Sequence, residues 1–120
     1  MSEVIPYARQ NINDADIAAV VDILRSDFLT QGSAIERFEN EMCQIMGARY
    51  AVALSSATAG LHLACLAFGV GGGDLVWTSP NTFVASANCA RYCGADLDFI
   101  DIELDTGNIS IDALSAKLVQ

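Results

Sequence analysis

From Tyr50 onward, short strand-like runs alternate with stretches of helical period, and no other feature restricts the fold as much. Tyr50 to Leu54 lacks the polar alternation of a strand with one wet face, and Leu75 to Thr78 and Leu97 to Ile102 read as a second and a third strand. The first of these is the kind of run expected of a strand buried on both faces of a sheet. Helical stretches separate them: one follows Ser55-Ser56 and reaches about Phe68, and a second runs from Thr82 to about Cys93. Ser110 or Asp112 can cap a last helix ending near Val119. Strands and helices alternating at this spacing predict an α/β fold with a mostly parallel sheet and right-handed crossovers. A doubly wound sheet normally has more strands than three, so the α/β unit reads as incomplete.

Two helices are expected ahead of the first strand. Asn13 followed by Asp14 and Asp16 is a helix start with acids facing the positive end of the dipole, and Ile17, Val20, Val21 and Leu24 recur at the spacing of one buried face. Phe28 to Gly32 breaks the pattern and reads as a loop. Ser33-Ala34-Ile35-Glu36 has the form of a capping box, Ile35, Phe38, Met42 and Ile45 line the helix it opens, and Gly47 closes it. The expected organisation is a helical arm over residues 1–48 and a partial α/β domain over 49–120.

Fifteen acidic residues against six basic ones give a net charge of −9, a field that repels nucleic acid and anionic membranes, so neither is an expected partner. No apolar stretch is long enough for a membrane span, and Met1-Ser2-Glu3 opens no secretory signal, so a cytoplasmic location is expected. Cys43, Cys65, Cys89 and Cys93 form no Cys-x-x-Cys pair, and His62 lies apart from them in sequence. Zinc spacing is not met, no metal is expected, and the cysteines read as free core thiols.

Two strand-to-helix junctions can carry chemistry. At Ser55 to Gly60 the first amides of a helix lack internal partners, and small side chains with the hydroxyls of Ser56 and Thr58 let a phosphate approach; an ordinary cap reads equally from these residues. At Thr78 to Phe83, an aromatic ring just beyond a parallel strand can stack on a flat ligand, or Phe83 can be a core residue. Gly69 to Gly73 follows a helix and precedes a strand, the reverse of a dinucleotide fingerprint, and reads as a helix stop and turn.

Leu29-Thr30-Gln31-Gly32, Phe38-Glu39, Ser56-Ala57-Thr58, Thr78 to Ser86 with Asn88, and Phe99-Ile100-Asp101-Ile102 stand in an order that resembles the DegT/DnrJ/EryC1/StrS sugar aminotransferases. Ile5-Pro6-Tyr7 with Arg9-Gln10, and the stretch Ser26-Asp27-Phe28-Leu29-Thr30-Gln31-Gly32, are most similar to members that aminate a nucleotide-linked 4-keto-6-deoxy sugar in pseudaminic acid synthesis, with glutamate as the usual donor. The resemblance implies a fold type I, pyridoxal 5'-phosphate (PLP)-dependent enzyme active as a homodimer. It implies that Ser56, Ala57 and Thr58 hold the cofactor phosphate, that Phe83 stacks on the pyridine ring, and that Tyr7, Leu29, Thr30 and Gln31 border the sugar site. It implies structural roles for Asn88 and Asp101, while His62 is expected to pack within its helix.

A transaminase of this kind also needs a Schiff-base lysine and a carboxylate for the pyridine nitrogen, which in the family come from later sequence. The single lysine, Lys117, falls outside every family motif and is assigned no catalytic role. The chain is therefore expected to be an inactive part of such an enzyme. The alternatives are a structural half that pairs with a complementary chain, or a phosphate- or PLP-binding module without turnover. Three strands alone leave sheet edges and apolar helix faces open to water.

Overall fold

A computed structural model describes residue 6 and residues 8–119. Its elements are helices α1 (Asp14–Leu24), α2 (Ser33–Met46) and α3 (Ala57–Ala67), strand β1 (Leu75–Thr78), helix α4 (Ala85–Tyr92), strand β2 (Asp96–Phe99) and helix α5 (Ile111–Leu118). They divide into two compact units, Met1–Ala53 and Leu54–Gln120.

In the first unit, the capping box forms at α1. Asn13 Oδ1 accepts from the amides of Ala15 (2.8 Å) and Asp16 (3.2 Å), and the Asp16 carboxylate accepts from the Asn13 amide at 2.9 Å. The box expected at Ser33–Glu36 does not form. Gly32 is the N-cap of α2 and Ser33 already lies inside the helix, so its hydroxyl is one position late for the role. The preceding loop sets this start. Gln31 sits at φ 53°, and Gly32 passes so close to Phe28 that a Cβ built on it would fall 2.9 Å from the Phe28 carbonyl oxygen. At the other end α2 stops where expected, on Gly47 at φ 62°.

The expected burial of the apolar stripes is not met in this unit. Ile17, Val20, Leu24, Ile35, Phe38 and Ile45 are all exposed, because α1 and α2 do not pack extensively on each other and no further described element of the unit covers them. One long-range bond is specific: the Glu39 carboxylate accepts from the Ala53 amide at 2.7 Å and ties the segment after α2 back to that helix.

The second unit is built around α4, which packs on α3, β1 and β2. Its inward residues are small: Ala85, Ala87, Cys89 and Ala90 are buried, together with Ala95 and Ile100 beyond it. β1 and β2 pair in parallel, Leu75 opposite Asp96 through Thr78 opposite Phe99, with α4 as the crossover. Gly69 (φ 76°) and Gly73 (φ 95°) make the turn that stops α3 and aims the chain into β1.

Three sequence expectations are corrected here. Tyr50 to Leu54 is not a strand, since a strand exists only in a ladder and no described segment pairs with it. The third run ends as a strand at Phe99, the partner of the last β1 residue; beyond it Ile102 bridges to Ile109 in antiparallel sense. α4 starts at Ala85 rather than Thr82, because the intervening residues form a turn in which Asn81 N–H donates to Ser79 Oγ at 3.2 Å.

The surface left open is large. The chain exposes 9986 Å², whereas two separate globules that divide its 12.7 kDa equally would expose about 7,500 Å². Large apolar side chains stand in it: Phe68, Leu75, Phe83, Phe99 and Leu104 of the second unit are exposed.

Glu39→Ala is expected to lower the stability of the first unit by about 1–3 kcal/mol, since it leaves a half-buried amide without its acceptor. Glu39→Gln keeps a carbonyl oxygen at the same place and should cost less than half as much. Urea unfolding of both variants checks this, and equal losses would show that the carboxylate does not hold Ala53.

Candidate functional site

The second unit carries two open turns, each at the amino end of a helix. At the first, Ser56 is extended (φ −165°, ψ 159°) and caps α3, its Oγ accepting from the Ala59 amide at 3.2 Å. The Gly60 amide donates to the Ser56 carbonyl at 3.1 Å. These two bonds satisfy the third and fourth amides of the first turn. The amides of Ala57 and Thr58 meet no acceptor among the described residues, as the geometry of a helix start requires. Ala57 is exposed and Thr58 half-buried, so two N–H groups and one hydroxyl are available at the positive end of the helix dipole. Ser56 differs from the expectation in one respect: its hydroxyl oxygen is already engaged as the cap.

At the second turn, between β1 and α4, Phe83 is 74% exposed. A core role for this ring is thereby ruled out within these residues. Its backbone is held by local bonds: its carbonyl accepts from the Ser86 amide at 3.0 Å, and the hydroxyls of Thr82 and Ser86 share a hydrogen bond of 3.0 Å. Ser79, Thr82 and Ser86 are positioning residues to which the sequence reading gave no role, although Ser-x-Asn and Thr-x-x-x-Ser are spacings at which hydroxyls order a turn. The α3–α4 packing places both turns on one unit, but no hydrogen bond or ring contact among the described residues joins Phe83 to the Ser56–Thr58 turn.

Of the residues expected at a substrate, Tyr7 lies outside the described residues. Leu29, Thr30 and Gln31 are exposed on the loop between α1 and α2. Gln31 and Gly32 line an open cavity of about 420 Å³ together with Ser33, Ile35, Glu36 and Glu39. Asn88 is half-buried in α4. Asp101 organises its own loop, its carboxylate accepting from the Ile102 amide at 2.8 Å and its carbonyl from the Ser110 amide at 2.8 Å. His62 packs edge-on against Tyr92, with ring centroids 5.4 Å apart. Among the described residues no acidic, histidine or cysteine group forms a metal-binding cluster, and no helix is long and apolar enough to cross a membrane.

Residues 10–120 match the DegT/DnrJ/EryC1/StrS aminotransferase family. A Campylobacter jejuni UDP-4-amino-4,6-dideoxy-N-acetyl-beta-L-altrosamine transaminase is 43% identical over 97% of this chain, which covers 30% of the relative. Among solved structures, Helicobacter pylori PseC, an aminotransferase involved in pseudaminic acid biosynthesis, superposes with a TM-score of 0.86 at 33% identity. That match covers 92% of this chain and 30% of PseC. A Streptococcus pneumoniae protein described as a sugar aminotransferase, in its PLP-form, gives a TM-score of 0.86 at 34% identity over 93% of this chain and 29% of the neighbour. The fold is thus that of the amino-terminal part of the fold type I aminotransferases, and the chain spans about 30% of the length of the curated relatives it matches.

The single lysine is committed to the fold. Lys117 Nζ donates to the Phe99 carbonyl at 2.7 Å, pairs with the Asp98 carboxylate and lies 5.8 Å from the centroid of the Trp77 ring, so it fastens α5 to both strands. Asp98 in turn accepts from the Phe99 amide at 2.7 Å. The Lys117 hydrogen bond first, and that amide second, hold the Asp98 carboxyl below its ordinary value of 3.8. A carboxylate with a depressed folded pKa adds stability that is complete above the unfolded value and is lost as pH falls through the folded one. The α5 attachment should therefore hold at neutral pH and weaken only below about pH 4. Far-UV circular dichroism against pH, with Asp98→Asn as comparison, checks this: the variant should lose that acid-dependent step, and an identical acid profile would contradict the assignment.

Proposed function

This chain belongs to the DegT/DnrJ/EryC1/StrS aminotransferase family, and we propose that it supplies the phosphate- and ring-binding turns of a PLP-dependent transaminase of nucleotide-linked sugars. The substrate class is a nucleotide-linked 4-keto-6-deoxy sugar, in line with the amino-dideoxy sugar of the relatives' names; glutamate as amino donor rests on the resemblance of the sequence alone. The observation that carries the reading is the pair of unpartnered amides at Ala57 and Thr58, at the amino end of a helix that follows an extended segment.

These residues fit a phosphate monoester. The two amides and the Thr58 hydroxyl donate to its oxygens, Ser56 keeps the turn in shape through its cap to Ala59, and the small side chain of Ala57 leaves room for approach. Phe83 offers an exposed aromatic face for the pyridine ring. When bound, PLP supplies the electron sink of transamination, and the protein supplies binding and orientation. Leu29, Thr30, Gln31 and Tyr7 are assigned to the sugar nucleotide. With Lys117 held by Asp98 and Phe99, these residues bind the cofactor and transfer no amino group themselves. In the whole enzyme the exposed apolar faces are covered by further sequence and by a second subunit, in a cytoplasmic homodimer.

Equilibrium dialysis with pyridoxamine phosphate tests the reading, because that ligand has no aldehyde to react with Lys117. Thr58→Ala should weaken binding about tenfold or more, the value of one hydrogen bond to a charged group. Phe83→Ala should weaken it less. Pyridoxamine without its phosphate should not distinguish Thr58→Ala from the parent chain. Equal affinity of Thr58→Ala and the parent for the phosphorylated ligand would overturn the assignment.

A further inference from the structure

Three of the four cysteines meet where α3 packs on α4. Cys89 and Cys93 stand one helical turn apart, Cys89 within α4 and Cys93 as its C-cap, and Cys65 stands near the carboxyl end of α3. The neighbouring contacts fix their placement. His62, three residues before Cys65, touches the ring of Tyr92, which adjoins Cys93. The loop after α3 folds against the turn after α4: a Cβ built on Gly71 would lie 3.9 Å from the Cys93 carbonyl oxygen, and the Val70 amide returns to the Cys65 carbonyl at 3.0 Å. All three thiols are free.

Their surroundings differ. Cys89 is buried, 5% exposed, and its Sγ–H donates to the Ser86 carbonyl at 3.2 Å. Cys93 and Cys65 are half-buried. Burial first, and then the facing Cys89 and Cys93 thiols, push the Cys65 thiol above its ordinary range.

We propose that Cys65 and Cys93 form a peroxide-responsive pair whose oxidation links α3 to α4 by a disulfide, with Cys89 held out of the reaction by its burial and its bond to Ser86. The Cys93 thiolate attacks a hydroperoxide: an S–O bond forms, the O–O bond breaks and hydroxide or alkoxide leaves, so sulfur loses two electrons and the peroxide gains them. Cys65 sulfur then attacks Cys93 sulfur. The S–S bond forms, the S–OH bond breaks, and the departing hydroxide leaves as water with the Cys65 proton. Because Cys65 keeps its proton more tightly than an ordinary thiol, it acts second. A thiol reductant reverses the link. The cross-link lies at the carboxyl ends of α3 and α4, away from the turns at their amino ends, so it is independent of cofactor binding.

The test treats the whole native chain with hydrogen peroxide, alkylates the remaining thiols and maps disulfides by tandem mass spectrometry. The expected result is one disulfide joining Cys65 to Cys93, reversed by dithiothreitol, retained in Cys89→Ser and reduced to background in Cys65→Ser. Cys43, in the other unit, is the internal control for random pairing. Disulfides that include Cys43 as often as Cys93, a Cys65–Cys89 link in place of Cys65–Cys93, or no disulfide at all would each overturn the proposal.

Discussion

The second unit depends on how closely α4 approaches its neighbours. One helix packs on α3, β1 and β2, and it can do so because its inward face is built from Ala85, Ala87, Cys89 and Ala90. Small side chains bring helix and strand backbones close together, and a close-packed seam tolerates little added volume. The two turns of the proposed site begin the two helices that meet along this seam. Their relation to each other is therefore set by alanine packing rather than by any direct bond between them. Ala95 and Ile100 extend the seam past α4, and Lys117 ties α5 to the strands through Asp98, Phe99 and Trp77.

Local chemistry was legible in the sequence and partnership was not. Asn13 with its acids, Ser56, Gly47 and Gly69 mark helix ends by rules that act within a few residues, and the structure places ends at or beside each of them. Ser33–Glu36 misleads because Gln31 and Gly32 begin the helix one residue early, a consequence of loop geometry that the motif does not contain. Tyr50 to Leu54 has the composition of a buried strand, but composition cannot supply the neighbouring backbone a ladder requires. The apolar stripes of α1 and α2 were readable as stripes; that they stay open follows from what surrounds them. Glu39 shows the same limit. Its place in the motif Phe38-Glu39 was visible, while its bond to Ala53, fourteen residues away, was not.

The electrostatics of the proposed phosphate turn run against the net charge of −9. The conflict is one of range. Scattered surface carboxylates are screened within about 8 Å at physiological salt, whereas the Ala57 and Thr58 amides would act in direct contact and are joined there by the positive end of α3. None of the six basic residues lies in the Ser55 to Gly60 segment, so local recognition of an anion there rests on backbone and hydroxyl donors. The same geometry explains why the sequence signal was ambiguous. A serine cap and an anion site begin with the same residues, and they differ in which amides the cap leaves free.

The most direct test of this account is a nitrogen-15 amide spectrum of the chain during titration with pyridoxamine phosphate. The account predicts that the Ala57 and Thr58 amides show the largest shifts, with the Ala59 amide, already held by Ser56, moving less. Shifts spread evenly over the chain, or centred on residues away from the amino end of α3, would contradict it.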